Sequence, residues 1–232
     1  MDLSVRANLA ELMDAPDLDE ATYQRCLHDL AAVNRVTFTH RPTLRWLAHV
    51  TRDLATGATL SVLDVAYGEG DLLRAIAHWA EKRGFVPQLS GIDLNPRSAI
   101  AARAVTPPGV GIDYRTGDVF DFSPAPLPDY IVTSQFTHHL SDPDVIRLLG
   151  WLEAHARRGW HIADLHRHAF AYYGFPLLAR LMGWHRIVRT DGTISIARAF
   201  TRRDWEALLQ RAGIEAQISW HMAFRYSISR LK

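Results

Sequence analysis

Between Leu60 and Asp71 the chain reads Leu-Ser-Val-Leu-Asp-Val-Ala-Tyr-Gly-Glu-Gly-Asp, and no other stretch limits the possible folds as much. Val62, Leu63 and Val65 form an apolar run of strand type, Gly68 and Gly70 form a turn, and Leu72, Leu73, Ile76 and Trp79 recur at helical spacing. A strand that turns on glycines into a helix N-terminus offers backbone N–H groups to a polar ligand at close approach. A second apolar strand, Leu89 to Leu94, carries Asp93, which stands 23 residues beyond Gly70. A carboxylate that binds ribose hydroxyls is expected about 20 residues on from such glycines. The pair predicts a nucleoside-bearing cofactor.

A dinucleotide site reads G-x-G-x-x-G, and here the third glycine is missing: the pattern is Asp64-x-Ala66-x-Gly68-x-Gly70. A third strand, from Ile112, runs into Thr116-Gly-Asp-Val-Phe120. This order of motifs over residues 58 to 165 resembles the class I S-adenosylmethionine (SAM)-dependent methyltransferases. The resemblance implies SAM as cofactor, with Asp64 and the Ala66–Gly70 turn (Tyr67 and Gly68 included) at its methionine part. It implies Asp93 on both ribose hydroxyls and Asp118 with Val119 beside the adenine, and it adds Leu94 and Gln135 to the cofactor set. The chain departs from the family at Ala66 and Tyr67, where glycine and often cysteine stand. A Cβ therefore enters where the backbone must come close to its ligand.

The remaining pattern predicts an α/β, Rossmann-like, doubly wound seven-stranded sheet with an antiparallel C-terminal strand pair, N-terminal helices and a lid insertion. Residues 1 to 57 read as a helical cap. One helix opens at Asp17–Glu20 and carries Tyr23, Leu27, Leu30 and Val33, and a second has Pro42 in its first turn. Residues 58 to 232 read as the cofactor-binding domain, with strands at 129–134 and 159–165 alternating with helices. Residues 166 to 200 break that alternation. Their aromatic residues and an Asp191-Gly192 turn predict a lid, within which Ala169–Leu181 also fits a helix packed on the sheet. Thr201 and Asp204 start a helix that Gly213 ends, and closing strands are expected at Ile214–Trp220 and Met222–Leu231.

In open α/β sheets ligands bind beyond the carboxyl ends of the strands, so chemistry is expected after the fourth and fifth strands. The first of these loops reads Gln135-Phe-Thr-His-His-Leu140 and the second His166-Arg-His168. Methyltransferases acting on amino groups of bases or glutamine commonly carry Asn/Asp-Pro-Pro-aromatic after strand four, which this chain lacks. Histidines suit O-methylation, because an imidazole with a pKa near ~6.5 can take a hydroxyl proton near neutral pH. His139 is the first candidate base and His166 the second. His138, His168, Tyr173 and Phe175 are expected on the acceptor. A metal site is not expected, since no thiolate or paired-carboxylate set accompanies the histidines.

A narrower resemblance rests on Asp164-Leu-His-Arg-His168, Ala171-Tyr-Tyr-Gly174, Thr190-Asp-Gly-Thr-Ile-Ser195 and Arg198-Ala-Phe-Thr-Arg202, with Asn34-Arg35 and Arg41-Pro-Thr-Leu-Arg-Trp46. These segments look like bacterial small-molecule methyltransferases found beside type III polyketide synthases. That implies O-methylation of a phenolic or pyrone-like molecule, with or without an alkyl tail. The competing readings are C-methylation of a quinone precursor, a nicotinamide-dependent oxidoreductase and a non-catalytic SAM-binding protein. A net charge of +1 gives no reason to expect nucleic acid as partner, and no apolar run approaches the ~20 residues of a membrane span. The single cysteine, Cys26, excludes an internal disulfide. With no signal peptide visible at Met1–Arg6, a cytoplasmic monomer or homodimer is expected.

Overall fold

The computed structural model of the protein describes residues 2–15 and 17–232. Strands β1 (Thr59–Val65), β2 (Val86–Asp93), β3 (Ile112–Thr116), β4 (Tyr130–Ser134), β5 (Gly159–Leu165), β6 (Gln217–His221) and β7 (Arg225–Leu231) form one sheet in the order β3-β2-β1-β4-β5-β7-β6. The first five run parallel, and β7 pairs antiparallel with both β5 and β6. Between β1 and β4 the strand order reverses, and that reversal opens a crevice at the carboxyl ends.

Apolar alternation along the central strands builds one core on each face. Leu60 and Val62 of β1 and Tyr130 and Val132 of β4 pack beneath helices α2 (Arg41–Val50) and α3 (Asp71–Lys82), against Leu47, Leu73 and Ile76. On the opposite face Leu63, Ile131 and Ile162 meet Leu148 and Leu149 of α5 (Asp142–His155) and Trp205 and Leu208 of α8 (Arg202–Ala212). α8 begins with a capping box between Thr201 and Asp204 and ends at Gly213 in the left-handed conformation, as expected from the sequence. The closing strands are shorter than expected. Ala223 and Phe224 take positive φ of 66° and 55°, which turns the chain sharply between His221 and Arg225.

Helix α1 (Glu20–Val36) lies over the carboxyl ends of the strands. Its Cys26 and Val33 pack with Ala179 of α6 (Ala169–Leu181) and with Ile187 and Val188 of α7 (Arg186–Arg198). Residues 166–200 are therefore a helical pair, and the expected Asp191-Gly192 turn is corrected to the middle of α7. Both turn-type residues serve packing. The Asp191 carboxylate accepts the backbone N–H groups of Leu12 (2.9 Å) and Met13 (2.8 Å), and a Cβ on Gly192 would collide with the Phe175 ring.

His161 of β5 is enclosed between Thr43, whose Oγ1 lies 3.4 Å from its Nδ1, and the Trp46 ring. Burial pushes its pKa down to about 3 from an ordinary 6.5. The folded state thus refuses a proton that the unfolded chain accepts. The stability contributed is complete above pH 6.5 and is lost as the pH falls from there toward 3. His161→Leu is expected to flatten this part of the acid-denaturation profile by a few kcal/mol across the window. Urea titrations of the two proteins at pH 7 and pH 5 check it, and equal pH sensitivity would refute it.

Candidate active site

Three cavities open at the strand-order reversal, and Gln135 borders all of them. Gln135 follows β4 with a φ of 54°, and Ala66 follows β1 with a φ of 61°. Among the described residues five non-glycines have positive φ, and four of them (Ala66, Gln135, Ala223 and Phe224) line these cavities. Such conformations persist only where the surrounding structure imposes them, and they cluster at ligand sites.

The largest of the three, about 740 Å³, runs along the ends of β1, β2 and β4. Ala66, Gly68, Asp93, Leu94, Asp118 and Val119 all border it. Asp93 is fixed by accepting the N–H groups of Gly68 and Asn95, each at 2.9 Å. Burial pushes its carboxyl above the usual range, and those two backbone bonds offset only part of the rise. Asp118 caps the short helical turn that begins at Val119 by accepting the Phe120 N–H at 2.9 Å.

The second cavity, about 120 Å³, lies between α1 and the glycine turn. Asp64 is at its floor, 1 % exposed, and neither carboxylate oxygen has a hydrogen-bond partner among the described residues. Burial raises its pKa well above the usual carboxylate range, with the nearby Asp71 and Asp93 adding to the effect. His40 Nδ1 and Ser134 Oγ, also buried and without partners, belong to residues lining the same space. On its rim Asp71 is held by His40 Nε2 (3.0 Å) and Asn34 Nδ2 (2.9 Å), while Asn34 Oδ1 accepts from the Gln135 amide. Buried polar atoms left open in this way cost free energy unless a ligand completes them. A cation facing Asp64 would do so.

The third cavity, about 400 Å³, is an apolar chamber under α6 and α7. Leu30, Val33, Leu165, Phe175, Leu178 and Phe224 are among its walls, and His138, His139 and Glu11 form its polar end. His138 Nδ1 is 2.7 Å from Asp164 Oδ1, and both side chains are buried. Asp164 also accepts the Thr137 hydroxyl and the N–H groups of His138 (2.9 Å) and Leu165 (2.7 Å). Burial alone would raise the Asp164 pKa, but the His138 charge and these hydrogen bonds outweigh it and hold it at about 2. The carboxylate thereby fixes the Nδ1–H tautomer and leaves His138 Nε2 as the acceptor. The His139 ring packs on His138 at 4.4 Å and borders both the chamber and the large cavity.

Glu11 reaches the site on an N-terminal strap, residues 2–15. The strap is held by Ala7 N–H to Ala197 O (3.0 Å), by Arg6 to the carbonyls of Leu140 and Arg198, and by Arg6 to Asp142 (2.7 Å). Glu11 lies 3.8 Å from His138 Nε2 and 3.8 Å from His139 Nε2, and accepts the Ser195 hydroxyl at 2.8 Å. Burial pushes its carboxyl up, against the pull of His139, Ser195 and Arg198.

Several sequence expectations are corrected here. His166 borders none of the three cavities: Leu165, the last residue of β5, lines the chamber, and His166 follows the strand end. The His166 ring packs edge-on to Tyr226 at 4.7 Å, and burial with the neighbouring His168 and Arg167 charges lowers its pKa to about 4. His168 caps α6 and stacks on Phe224 behind the chamber wall. Tyr173 faces solvent, whereas Phe175 does line the chamber. Tyr67 borders the small cavity, but its ring runs from the turn into the core, over Gly91 and against Tyr114, with its hydroxyl donating to Arg115 O. Gly70 borders none of the three cavities. It opens α3 at a φ of 74°, and a Cβ there would sit 2.5 Å from the Tyr114 hydroxyl. Sequence reasoning missed Glu11, Asn34, His40, Asp71 and Asp164.

A family model described as "Methyltransferase domain" matches residues 33–217, and the chain belongs to that family. No curated protein matches it by sequence. Among solved structures it is similar to the plantazolicin methyltransferase BpumL, in complex with a triazolic desmethylPZN analog and SAH, with a TM-score of 0.67, 14% identity and 90% of each chain covered. It is also similar to the magnesium protoporphyrin IX methyltransferase of Synechocystis PCC 6803 with bound SAH, with a TM-score of 0.56 and 15% identity over 95% of this chain and 91% of that one. A third similar structure is human N-acetylserotonin methyltransferase in complex with SAM, with a TM-score of 0.61 and 18% identity over 92% of this chain and 56% of that one.

Proposed function

We propose that this protein uses SAM to methylate a hydroxyl of a small aromatic or alkyl-bearing molecule. The observation that carries the reading is the meeting of three unlike cavities at Gln135: a long polar cleft, a small cavity floored by an unpartnered buried carboxylate, and an apolar chamber with a histidine at its polar end. The residues fit the cofactor. Asp93 suits the ribose hydroxyls, Asp118 and Val119 the adenine, and Asp64 with Asn34, His40 and Asp71 the charged amino-acid end. When bound, SAM supplies an electrophilic methyl carbon.

The protein's own contribution begins with orientation, since aligning the acceptor with that carbon removes much of the barrier. The apolar chamber excludes water and favours a flat or alkyl-bearing acceptor. His138 Nε2 takes the hydroxyl proton while Asp164 holds the other ring nitrogen. His139, at the border of chamber and cleft, positions the reacting oxygen.

Calorimetry with SAM and NAD side by side is expected to show binding of SAM alone. Labelled SAM with a panel of phenols and alkyl-bearing hydroxy-aromatics is expected to yield O-methyl product. Phe175→Ala should raise the acceptor KM more than the SAM KM, and Tyr173→Ala should change neither. Heat of binding with NAD, or label on carbon instead of oxygen, would overturn the assignment.

A further inference from the structure

The outer face of α6 has no role in the reaction described above. Ala171, Phe175 and Leu178 turn toward the chamber, and Tyr172, Pro176 and Arg180 line a separate cleft of about 470 Å³. Between these two faces Phe170, Tyr173, Leu177 and Leu181 follow one another at helical spacing and are 63–83 % exposed. The stripe continues past the end of the helix. Phe170 stacks on Phe224 at 5.6 Å, the exposed Trp220 meets Phe224 edge-on at 6.3 Å, and Met222 projects beside them, 80 % exposed. Phe170 and Phe224 also belong to the chamber wall, so the apolar surface is continuous with the chamber. A contiguous patch of large apolar side chains on a water-facing helix marks an interaction surface.

Charge identifies what covers it. Residues 166–200 contain five arginines and one acid in a chain whose net charge is only +1, so the rest of the protein is net acidic. The acid, Asp191, is turned inward onto the strap. Arg167 and Arg198 are also turned inward, onto backbone carbonyls. That leaves Arg180, Arg186 and Arg189 lining the cleft beside the stripe, and among the described residues no carboxylate lies within salt-bridge distance of any of them.

We propose that α6 and the β6–β7 turn form a docking surface for an anionic lipid bilayer. The helix lies in the interface with Phe170, Tyr173, Leu177 and Leu181 among the acyl chains, and the three arginines meet headgroup phosphates. A second copy of the chain fits the charge less well. A symmetric contact through the stripe sets two arginine clefts toward each other with no acid between them. Docking would bring the chamber to the phase in which an alkyl-bearing acceptor dissolves, and this use of the surface, unlike the surface itself, rests on the proposed function.

Flotation of the full chain with vesicles tests the proposal, comparing phosphatidylcholine alone with an equimolar mixture of phosphatidylcholine and phosphatidylglycerol. The anionic vesicles are expected to bind at least tenfold more protein, with the excess lost at high salt. The double variant Leu177→Asp/Leu181→Asp should lose binding to both. The double variant Arg180→Glu/Arg186→Glu should lose only the anionic preference. Both variants should keep the melting temperature and SAH affinity of the parent, since all four side chains are exposed. Absence of vesicle binding, or equal binding to both compositions, would overturn the proposal. So would a concentration-dependent dimer in light scattering that Leu177→Asp abolishes. A failure here leaves methyl transfer to a short, soluble phenol intact, and a failure of methyl transfer leaves the flotation result standing.

Discussion

Asp93→Ala is expected to weaken SAM binding by tenfold or more while the sheet remains folded. Hydrogen bonds to an ionised carboxylate contribute about 1.5–3 kcal/mol each, and the ribose presents two hydroxyls to it. Asp93 also accepts the N–H groups of Gly68 and Asn95, so alanine releases the glycine turn as well. Asp93→Asn separates the two effects. The amide oxygen can keep one backbone bond and one ribose bond but has no charge, so its affinity should fall between that of the parent and that of alanine. Calorimetry with SAH together with melting temperatures checks this. A melting temperature that falls in step with affinity would make Asp93 a structural residue. Unchanged affinity in both variants would remove it from the cofactor site.

That the place of Asp93 is legible in the sequence while that of Glu11 is not has a physical reason. Asp93 ends an apolar run at the fixed point of a β-α-β unit, so chain distance from Gly70 translates directly into position across the crevice. Val62, Leu63, Tyr130 and Ile131 likewise announced the central strands through their alternation between the two faces. Glu11 sits on a strap with no periodicity, and its position depends on Asp191, 180 residues away in the chain. The same Asp191 shows why a turn was expected where α7 runs straight. Asp-Gly is a turn signal only when the aspartate has no better partner, and here two backbone donors of the strap occupy it.

Position after a strand end does not by itself place His166. It lies just past β5, where its backbone N–H goes to Phe224 O at 2.9 Å and a bridge to Phe200 holds it, so its ring packs on Tyr226 and not in the chamber. One overlooked signal was legible. Asp164 interrupts the apolar run from Trp160 to Leu165, and a carboxylate inside a buried strand requires a partner of opposite charge or several donors. The histidines after the neighbouring strand were the available candidates, and β4 and β5 are paired from Tyr130–Gly159 to Ser134–Ala163. That pairing sets the loop after β4 beside the end of β5, where His138 Nδ1 lies 2.7 Å from Asp164 Oδ1.

His138→Ala is therefore expected to lower kcat by about 10²–10⁴-fold with little change in SAM affinity, the usual contribution of a general base. Asp164→Asn should produce a loss of similar order for a different reason. An amide in place of the carboxylate no longer stabilises the Nδ1–H tautomer or the charge that appears when Nε2 takes the proton. His139→Ala should cost less and should act more on the acceptor KM, because its ring borders the chamber and the carboxylate beside its Nδ1, Asp14 at 3.6 Å, is exposed and not buried like Asp164. The pH profile separates chemistry from damage. With phenolic acceptors, whose pKa lies near ~10, activity of His138→Ala should return in part at high pH as the acceptor ionises unaided, whereas a misfolded variant gains nothing. If His139→Ala shows the larger kcat loss and the alkaline recovery, the base is His139 and the Asp164–His138 pair is structural. If neither variant slows turnover, alignment of the acceptor alone carries the rate.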